Sequence, residues 1–505
     1  MWHDQWANID VNSSSARRAS TSMIHSPSSV EHSFEDPVQY QRFLDALLYK
    51  EKDITRPSGS QLEKYRRVHD AIRIAKHDLR LVLPSLLHSN KGYFESIPMQ
   101  PRGNWLGASQ YLAVSSISRH PPAVPPLIIS SPPGTGETTV LITAVLELLQ
   151  LAQLRILICT HDQLYADDLC GLFFQAGCNV LNYDEDPRCS AMDRWQIQPY
   201  PLVVTTCLTS FLLHGVGLPD GHFTHVFLPT AQEIGEPEAM IPLKCLTGAD
   251  TRVVLLGDPF YGRSKSSIGK NVGIDQSYFQ RLLSLSLYSQ EPASSLYFVH
   301  LTENYTLNPK ILNIVNMVLY SGRLAACGNP QTLCQFDNWS GLNSRGFPIV
   351  AHHTTGVCES VYEADFSVSF INQDEATRSV QQVMSLLDEG FDPTTIGIIS
   401  TCSAQCQVIK KLMESQISAG RRTLSTVKIG TWETYGHELR DVIIVSTVVR
   451  EYIPDLTKKF NDLCAFNVIM TRARSLLIVF GDRDALRWLA GWREFLSYIG
   501  LVKSL

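Results

Sequence analysis

Between Leu127 and Val140 the chain reads L-I-I-S-S-P-P-G-T-G-E-T-T-V. A strand-like apolar run, Leu127 to Ile129, enters a Gly-rich turn. Beyond it Val140, Leu141, Ala144, Val145 and Leu148 recur at helical spacing. Strand, tight loop and helix in this order place backbone N–H groups at a helix N-terminus, where they face a phosphate. Gly134, Thr135, Gly136, Thr138 and Thr139 are the candidate cradle. The usual string is G-x-x-x-x-G-K-[S/T], whose lysine reaches the β/γ-phosphates. Here Ser131 stands for the first glycine and Glu137 for the lysine. A carboxylate about 4 Å from a phosphate charge repels it by about 4 kcal/mol at an effective dielectric of 20. The loop is kept and its charge inverted. Glu137 is read as a carboxylate in an emptied loop; the alternative is a carboxylate that holds a divalent ion against a phosphate.

The elements that must carry this loop follow from hydrophobic patterning. Pro121, Pro122, Pro125 and Pro126 form a rigid lead-in. Arg155–Thr160, Pro201–Cys207, His225–Leu228 and Arg252–Pro259 are short apolar runs that predict buried parallel strands, with helical patterns between most of them. The second half repeats the theme near Ile396, Val427, Val442 and Leu476. Both halves predict an α/β sheet with its ligand edge at the strand C-termini, and two such lobes in tandem imply a cleft. Ahead of them, residues 1–35 hold Ser13 to Ser15 and S-P-S-S-V at Ser26 to Val30 and predict a disordered tail. Phe43, Leu44, Leu47 and Leu48 predict a helix over Tyr40–Tyr49, and a second helical pattern with Lys64, Arg66 and Arg67 runs from about Ser60 to Leu87.

A length of 505 residues predicts two to four domains, and 44% hydrophobic with 18% charged residues is an ordinary globular balance. The formal net charge of −6 excludes a general attraction to nucleic acid or to acidic membranes, so an RNA surface has to be local. The twelve cysteines include no C-x-x-C pair, which favours structural thiols in a reducing compartment over a zinc site. Without a signal-peptide core or a run of 18 apolar residues, the expectation is a soluble intracellular protein with no membrane partner.

Four further stretches carry a resemblance. They are N-Y-T-L-N-P at Asn304 to Pro309, E-P-E-A-M-I-P-L at Glu236 to Leu243, V-V-L-L-G-D-P at Val253 to Pro259 and F-N-V-I-M-T-R-A-R-S-L-L-I-V-F-G at Phe466 to Gly481. In this order they resemble the superfamily-one RNA helicases of the Upf-like group, most of all the Armitage and Moloney-leukaemia-virus-ten-like RNA-silencing helicases. The resemblance runs from about Asn104 to Leu505. It implies two RecA-like lobes, over 101–298 and 299–505, with ATP in the cleft and RNA across the top. Residues 36–100 would be a helical, stalk-like remnant, too short to include the family's inserted β-barrel. Gln110 takes the adenine-reading position, Asp258 lies in G-D-P, and Arg472 keeps a charge-handling position, either to grip an anion or to brace the lobes. Thr205, Thr206 and Thr431 fall where the family touches RNA phosphates, although threonines are also plain strand formers.

Set against the family, the catalytic positions are substituted. The D-E-A-G that holds Mg²⁺ and positions water is Pro229, Thr230, Ala231 and Gln232. The γ-phosphate-sensing glutamine is Tyr261, the arginine of N-Y-R is Thr306, the ribose-binding glutamate is Leu439, and a neighbouring glycine is His437. Proline cannot hold a metal, and threonine is no general base. The expectation is therefore a helicase-derived, catalytically silent binding or scaffold protein of an RNA-silencing or RNA-decay particle. It would be cytoplasmic, in ribonucleoprotein granules, and weak on single-stranded RNA. No cofactor is expected, unless the fold retains some binding of ATP and Mg²⁺. The alternatives are an active ATP-dependent RNA helicase of unusual chemistry and a non-functional gene product.

Overall fold

The computed structural model describes residues 59–74, 79–82, 84, 105–151, 153–261, 276–289, 294–362, 368–449 and 461–503. The expected tail and the Tyr40–Tyr49 helix lie outside the described residues. The chain divides into two compact units. The first is Met1–Ser131, Gly136–Pro259 and Arg263–Leu301; the second is Pro132–Thr135, Phe260–Gly262 and Thr302–Leu505.

The first unit is built on seven parallel strands: β1 (Leu127–Ser130), β2 (Ile156–Thr160), β3 (Val180–Asn182), β4 (Leu202–Thr206), β5 (His225–Leu228), β6 (Arg252–Gly257) and β7 (Phe298–His300). Their order in the sheet is β3-β4-β2-β5-β6-β1-β7. Strands covered on both faces need apolar side chains at successive positions. Leu157, Val203, Val226 and Leu255 fill one core, and their chain neighbours Ile158, Val204, Phe227 and Leu256 fill the other. The four runs predicted from the sequence are strands here; β3 and β7 were not foreseen.

The principal helices of the first unit are α1 (Gly59–Arg73), α2 (Ala108–Arg119), α3 (Glu137–Leu149), α4 (Gln163–Gln175), α5 (Ser210–Gly215), α6 (Glu236–Cys245) and α7 (Tyr278–Leu283). The helical pattern expected from Ser60 to Leu87 is a helix to Arg73 and a short turn at Leu79–Val82. Arg67 is buried and pairs with Glu63 and Glu185. Every residue of α6 is buried, and Glu236 is neutralised there by the equally buried Arg281, Nε to Oε1 2.6 Å. That pairing lets a charged E-P-E sequence enter a core.

In the second unit five parallel strands lie in the order β10-β16-β15-β13-β14. They are β10 (Ile349–His353), β13 (Ile396–Ser400), β14 (Lys428–Thr431), β15 (Arg440–Ser446) and β16 (Ala473–Gly481). Two short pairs accompany them: β8 (Glu303–Asn304) with β9 (Ala325–Ala326), and the antiparallel β11 (Cys358–Tyr362) with β12 (Val368–Asn372). The principal helices are α8 (Pro309–Val318), α9 (Gln373–Asp388), α10 (Ser403–Ser418), α11 (Leu463–Thr471) and α12 (Ala490–Lys503). Ile443, Val445, Leu477 and Val479 face one core, and Val442, Ile444, Leu476 and Ile478 the other.

Two β-branched residues lie in the left-handed region, Thr230 at φ 46° and Val448 at φ 64°. Such a backbone is costly for either residue and is kept only where its surroundings hold it. In both cases the N–H of the strained residue donates to a glutamate: Thr230 to Glu137 at 2.8 Å and Val448 to Glu375 at 2.9 Å.

Candidate functional site

The phosphate-type loop forms as its glycines require. Gly136 has φ 89° and precedes α3, and a Cβ there would lie 2.3 Å from Gln110 Nε2. Gln110 is itself buried and its Oε1 accepts from Gly107 N at 3.1 Å. Within the second unit, Gly134 has φ 79°, its carbonyl accepts from Tyr305 N at 2.9 Å, and a Cβ there would lie 2.0 Å from Thr306 Oγ1. Asn304 Nδ2 donates to Pro133 O at 2.7 Å, and the Thr135 hydroxyl donates to Pro132 O at 2.7 Å. Thr306, in place of the family's arginine, thus abuts the loop with a short side chain.

The inverted charge has a defined place. Glu137 opens α3, and its two carboxylate oxygens are both taken. Ser131 Oγ donates to Oε2, and Thr230 N donates to Oε1 at 2.8 Å. Ser131, Glu137 and Thr230 are therefore bonded to one another. The strained backbone at Thr230 is what aims its N–H at the carboxylate. Pro229, one residue earlier, accepts from the Thr230 hydroxyl through its carbonyl at 2.8 Å and offers no side-chain ligand. Glu137 is thus a bonded part of the loop, not the loose surface carboxylate of an emptied one.

The sequence reading missed His161, which lies beside Thr230, and Tyr165, which lies beside Glu137. His161, at the end of β2, has Nδ1 3.3 Å from Thr230 Oγ1, and its Nε2 is 2.8 Å from Glu233 and 3.0 Å from Asp162. Tyr165, on α4, is pushed above the usual phenol range by burial, and the charge of Glu137 adds to this. The signal for His161 and its partner Glu233 was position: His161 directly follows a predicted strand, and Glu233 follows the P-T-A-Q stretch. Asp258 is buried at the end of β6, where its N–H donates to Gln232 Oε1 at 3.2 Å. Thr138 and Thr139 are half-buried in the first turn of α3, and Thr139 O accepts from Thr143 Oγ1 at 2.7 Å.

A second group of substituted positions meets inside the second unit. The Tyr261 ring stacks on His437, with centroids 5.3 Å apart and planes 24° from parallel, and its hydroxyl is 3.2 Å from His437 Nδ1. The Arg472 guanidinium lies 5.5 Å from the Tyr261 ring centroid. Its Nη1 donates to Gly436 O at 3.2 Å and its Nη2 to Thr471 Oγ1 at 3.1 Å. Arg472 is buried, so cation–π contact and these acceptors replace part of its lost hydration. Leu439 is half-buried close by in sequence.

The candidate RNA-contact threonines have different surroundings. Thr205 is 0% exposed, on the face of β4 that also carries Val203 and Cys207 into the core. The Thr206 hydroxyl donates to Thr209 Oγ1 at 2.8 Å and accepts from Thr209 N at 3.0 Å, so its proton is spent on the following turn. In this conformation the Thr205 hydroxyl is buried and the Thr206 hydroxyl is engaged by Thr209. Thr431 shares a 3.1 Å contact with Thr434 Oγ1 that either oxygen can donate, and so keeps a usable proton. Among the described residues no cluster of His, Cys, Asp and Glu could hold a metal ion, and no helix is long and apolar enough to cross a membrane.

Two parallel α/β sheets, the first carrying a phosphate-type loop between β1 and α3, form a RecA-like α/β core. Residues 274–484 match the family model described as an AAA domain. The chain is 28% identical over 421 residues to the RNA helicase Mov10l1 of Homo sapiens, covering 75% of this chain and 34% of that one. It is 28% identical over 514 residues to the Danio rerio protein mov-10-B.1, covering 91% and 49%, and 26% identical over 457 residues to the Drosophila melanogaster protein armi, covering 78% and 38%. The kinship with the Armitage and Moloney-leukaemia-virus-ten-like helicases read from the motifs therefore holds over most of the chain. The chain spans about a third to a half of the length of these relatives. Among solved structures, an arterivirus nonstructural protein 10 helicase is a loose match, with a TM-score of 0.37 at 12% identity over 75% of this chain and 63% of that one.

Proposed function

We propose that this chain is a helicase-derived pseudo-ATPase that acts as an RNA-binding or scaffold subunit of an RNA-silencing or RNA-decay ribonucleoprotein in the cytoplasm. The observation that carries this reading is the Glu137 carboxylate, bonded to Ser131 Oγ and Thr230 N in the loop that would otherwise receive phosphates. An anion already stands there, so ATP and Mg²⁺ are not resident cofactors. Loss of one transition-state arginine alone costs about 10³-fold or more in rate. The lysine, the metal aspartate and the base are substituted as well. That the substituted positions bond to one another also speaks against a decayed gene product, because drift does not create matched partners.

The test is phosphate release from ATP with Mg²⁺ and single-stranded RNA. The expected rate equals that of an Arg472→Ala variant, and RNA-stimulated release clearly above it would overturn the proposal. One observation favours a second reading, an ATP-dependent helicase of unusual chemistry. His161, held between Glu233 and Asp162, places an imidazole beside Thr230. If that reading is right, turnover exists and His161→Ala abolishes it.

For RNA, the net charge of −6, the burial of Thr205 and the engagement of Thr206 by Thr209 leave few phosphate contacts. Equilibrium titration with a single-stranded oligonucleotide should give a dissociation constant on the order of micromolar or weaker at physiological salt, with a shallow salt slope and no response to ATP. Tight binding with a steep salt slope would reveal a basic surface that these residues do not supply.

A further inference from the structure

The hairpin β11–β12 is built asymmetrically. Its inner strand is fastened to the body of the second unit. Phe370 and Ser369 are buried, Ser369 Oγ accepts from Ala404 N at 3.2 Å, and Asn372 exchanges bonds of 2.9 Å with Gln405 through both its N–H and its carbonyl. The outer strand pairs with β12 alone, in the register Cys358↔Asn372 to Tyr362↔Val368, and with no other strand among the described residues. Along it Glu359, Ser360 and Tyr362 are exposed.

Apolar side chains gather at this edge without a core to enter. Val357 is 66% exposed, Tyr362 76% and its cross-strand partner Val368 48%. By strand alternation Tyr362 and Val368 share a face with the buried Phe370, so the apolar stripe runs outward from the core. Proteins ordinarily blunt such an edge with lysine or proline, and this one has neither. Along the described hairpin, residues 357–362 and 368–372, the sequence carries Glu359 and no basic residue.

We propose that β11 is a docking edge for an extended segment of a partner protein in which apolar residues alternate with Lys or Arg. The backbone of such a segment continues the ladder, which fixes an extended conformation. Its apolar side chains cover Tyr362 and Val368, and its cations face Glu359. This inference is independent of the nucleotide loop and stands if that loop proves active.

The experiment uses the full chain and a fluorescein-labelled octapeptide of alternating valine and lysine, with glutamate in place of lysine as the control. Saturable binding of the lysine peptide is expected, and none of the control. The double variant Glu359→Lys/Tyr362→Lys should weaken binding by about tenfold or more. Val357→Lys, outside the paired strands, should weaken it as well while leaving hydrogen exchange in β12 unchanged, which separates a lost surface from a lost hairpin. No binding, or binding indifferent to all three substitutions, would overturn the proposal. So would concentration-dependent self-association that these substitutions abolish, since the occupant would then be a second copy of the chain.

Discussion

Glu137→Lys is expected to raise ATP affinity by as much as about 10³-fold and still leave turnover absent. The gain has two sources. The carboxylate repels a phosphate about 4 Å away by about 4 kcal/mol at an effective dielectric of 20, and each 1.4 kcal/mol is a factor of ten. A lysine then adds attraction at the same point. Against this stands a loss that the sequence could not show. Thr230 N and Ser131 Oγ both donate to the carboxylate, and Thr230 is buried. Leaving that N–H unpaired costs about 1–3 kcal/mol, and the strain at Thr230 loses its restraint. The variant should therefore unfold more easily without ligand and recover on adding ATP. Isothermal titration with and without Mg²⁺, beside thermal unfolding, measures both. Turnover stays absent because Pro229 and Thr230 supply neither metal ligand nor base. Equal or weaker ATP binding in the variant would mean that Glu137 does not occupy the lysine position.

What the sequence disclosed depended on how local the cause was. Parallel strands covered on both faces must be apolar throughout, so the runs at Leu127, Ile156, Leu202, His225 and Arg252 announce themselves without knowledge of their neighbours. The loop glycines are equally local, since only they adopt φ near 79° and 89° cheaply. The partners of Glu137 were not legible, because one of them is a backbone N–H turned by an unexpected left-handed threonine. The Tyr261–His437–Arg472 stack joins residues far apart in the chain, each of which alone looked like a lost function. Thr205 and Thr206 show the converse. Residue type kept them as candidates, but strand alternation buries one and a turn consumes the other. The hairpin at Cys358–Asn372 went unnoticed because C-E-S-V-Y has no strong strand pattern.

Glu375 offers the clearest expected pH dependence. Its carboxylate is fully buried under β15. It accepts from Ser446 Oγ at 2.8 Å and Val448 N at 2.9 Å on one oxygen, and from Thr354 Oγ1 at 3.1 Å on the other. Burial outweighs these donors and lifts its pKa from 4.5 to about 7. A carboxyl group whose folded pKa lies above its unfolded value binds the proton more tightly in the native state. Its contribution is therefore fully present below pH 4.5 and is lost as pH rises through about 7. A shift of this size corresponds to about 3 kcal/mol. Urea unfolding of the chain at pH 5 and pH 8 should show a loss of this order that Glu375→Gln largely removes. The amide is uncharged at both pH values, and the Thr354 and Ser446 hydroxyls can turn to accept from it. The same variant should keep β15 and its left-handed Val448 in place, seen as unchanged hydrogen exchange over Val442–Ser446. If wild type and variant lose stability in parallel between pH 5 and pH 8, the carboxyl titrates in its ordinary range. In that case the donors around it, rather than burial, set its charge.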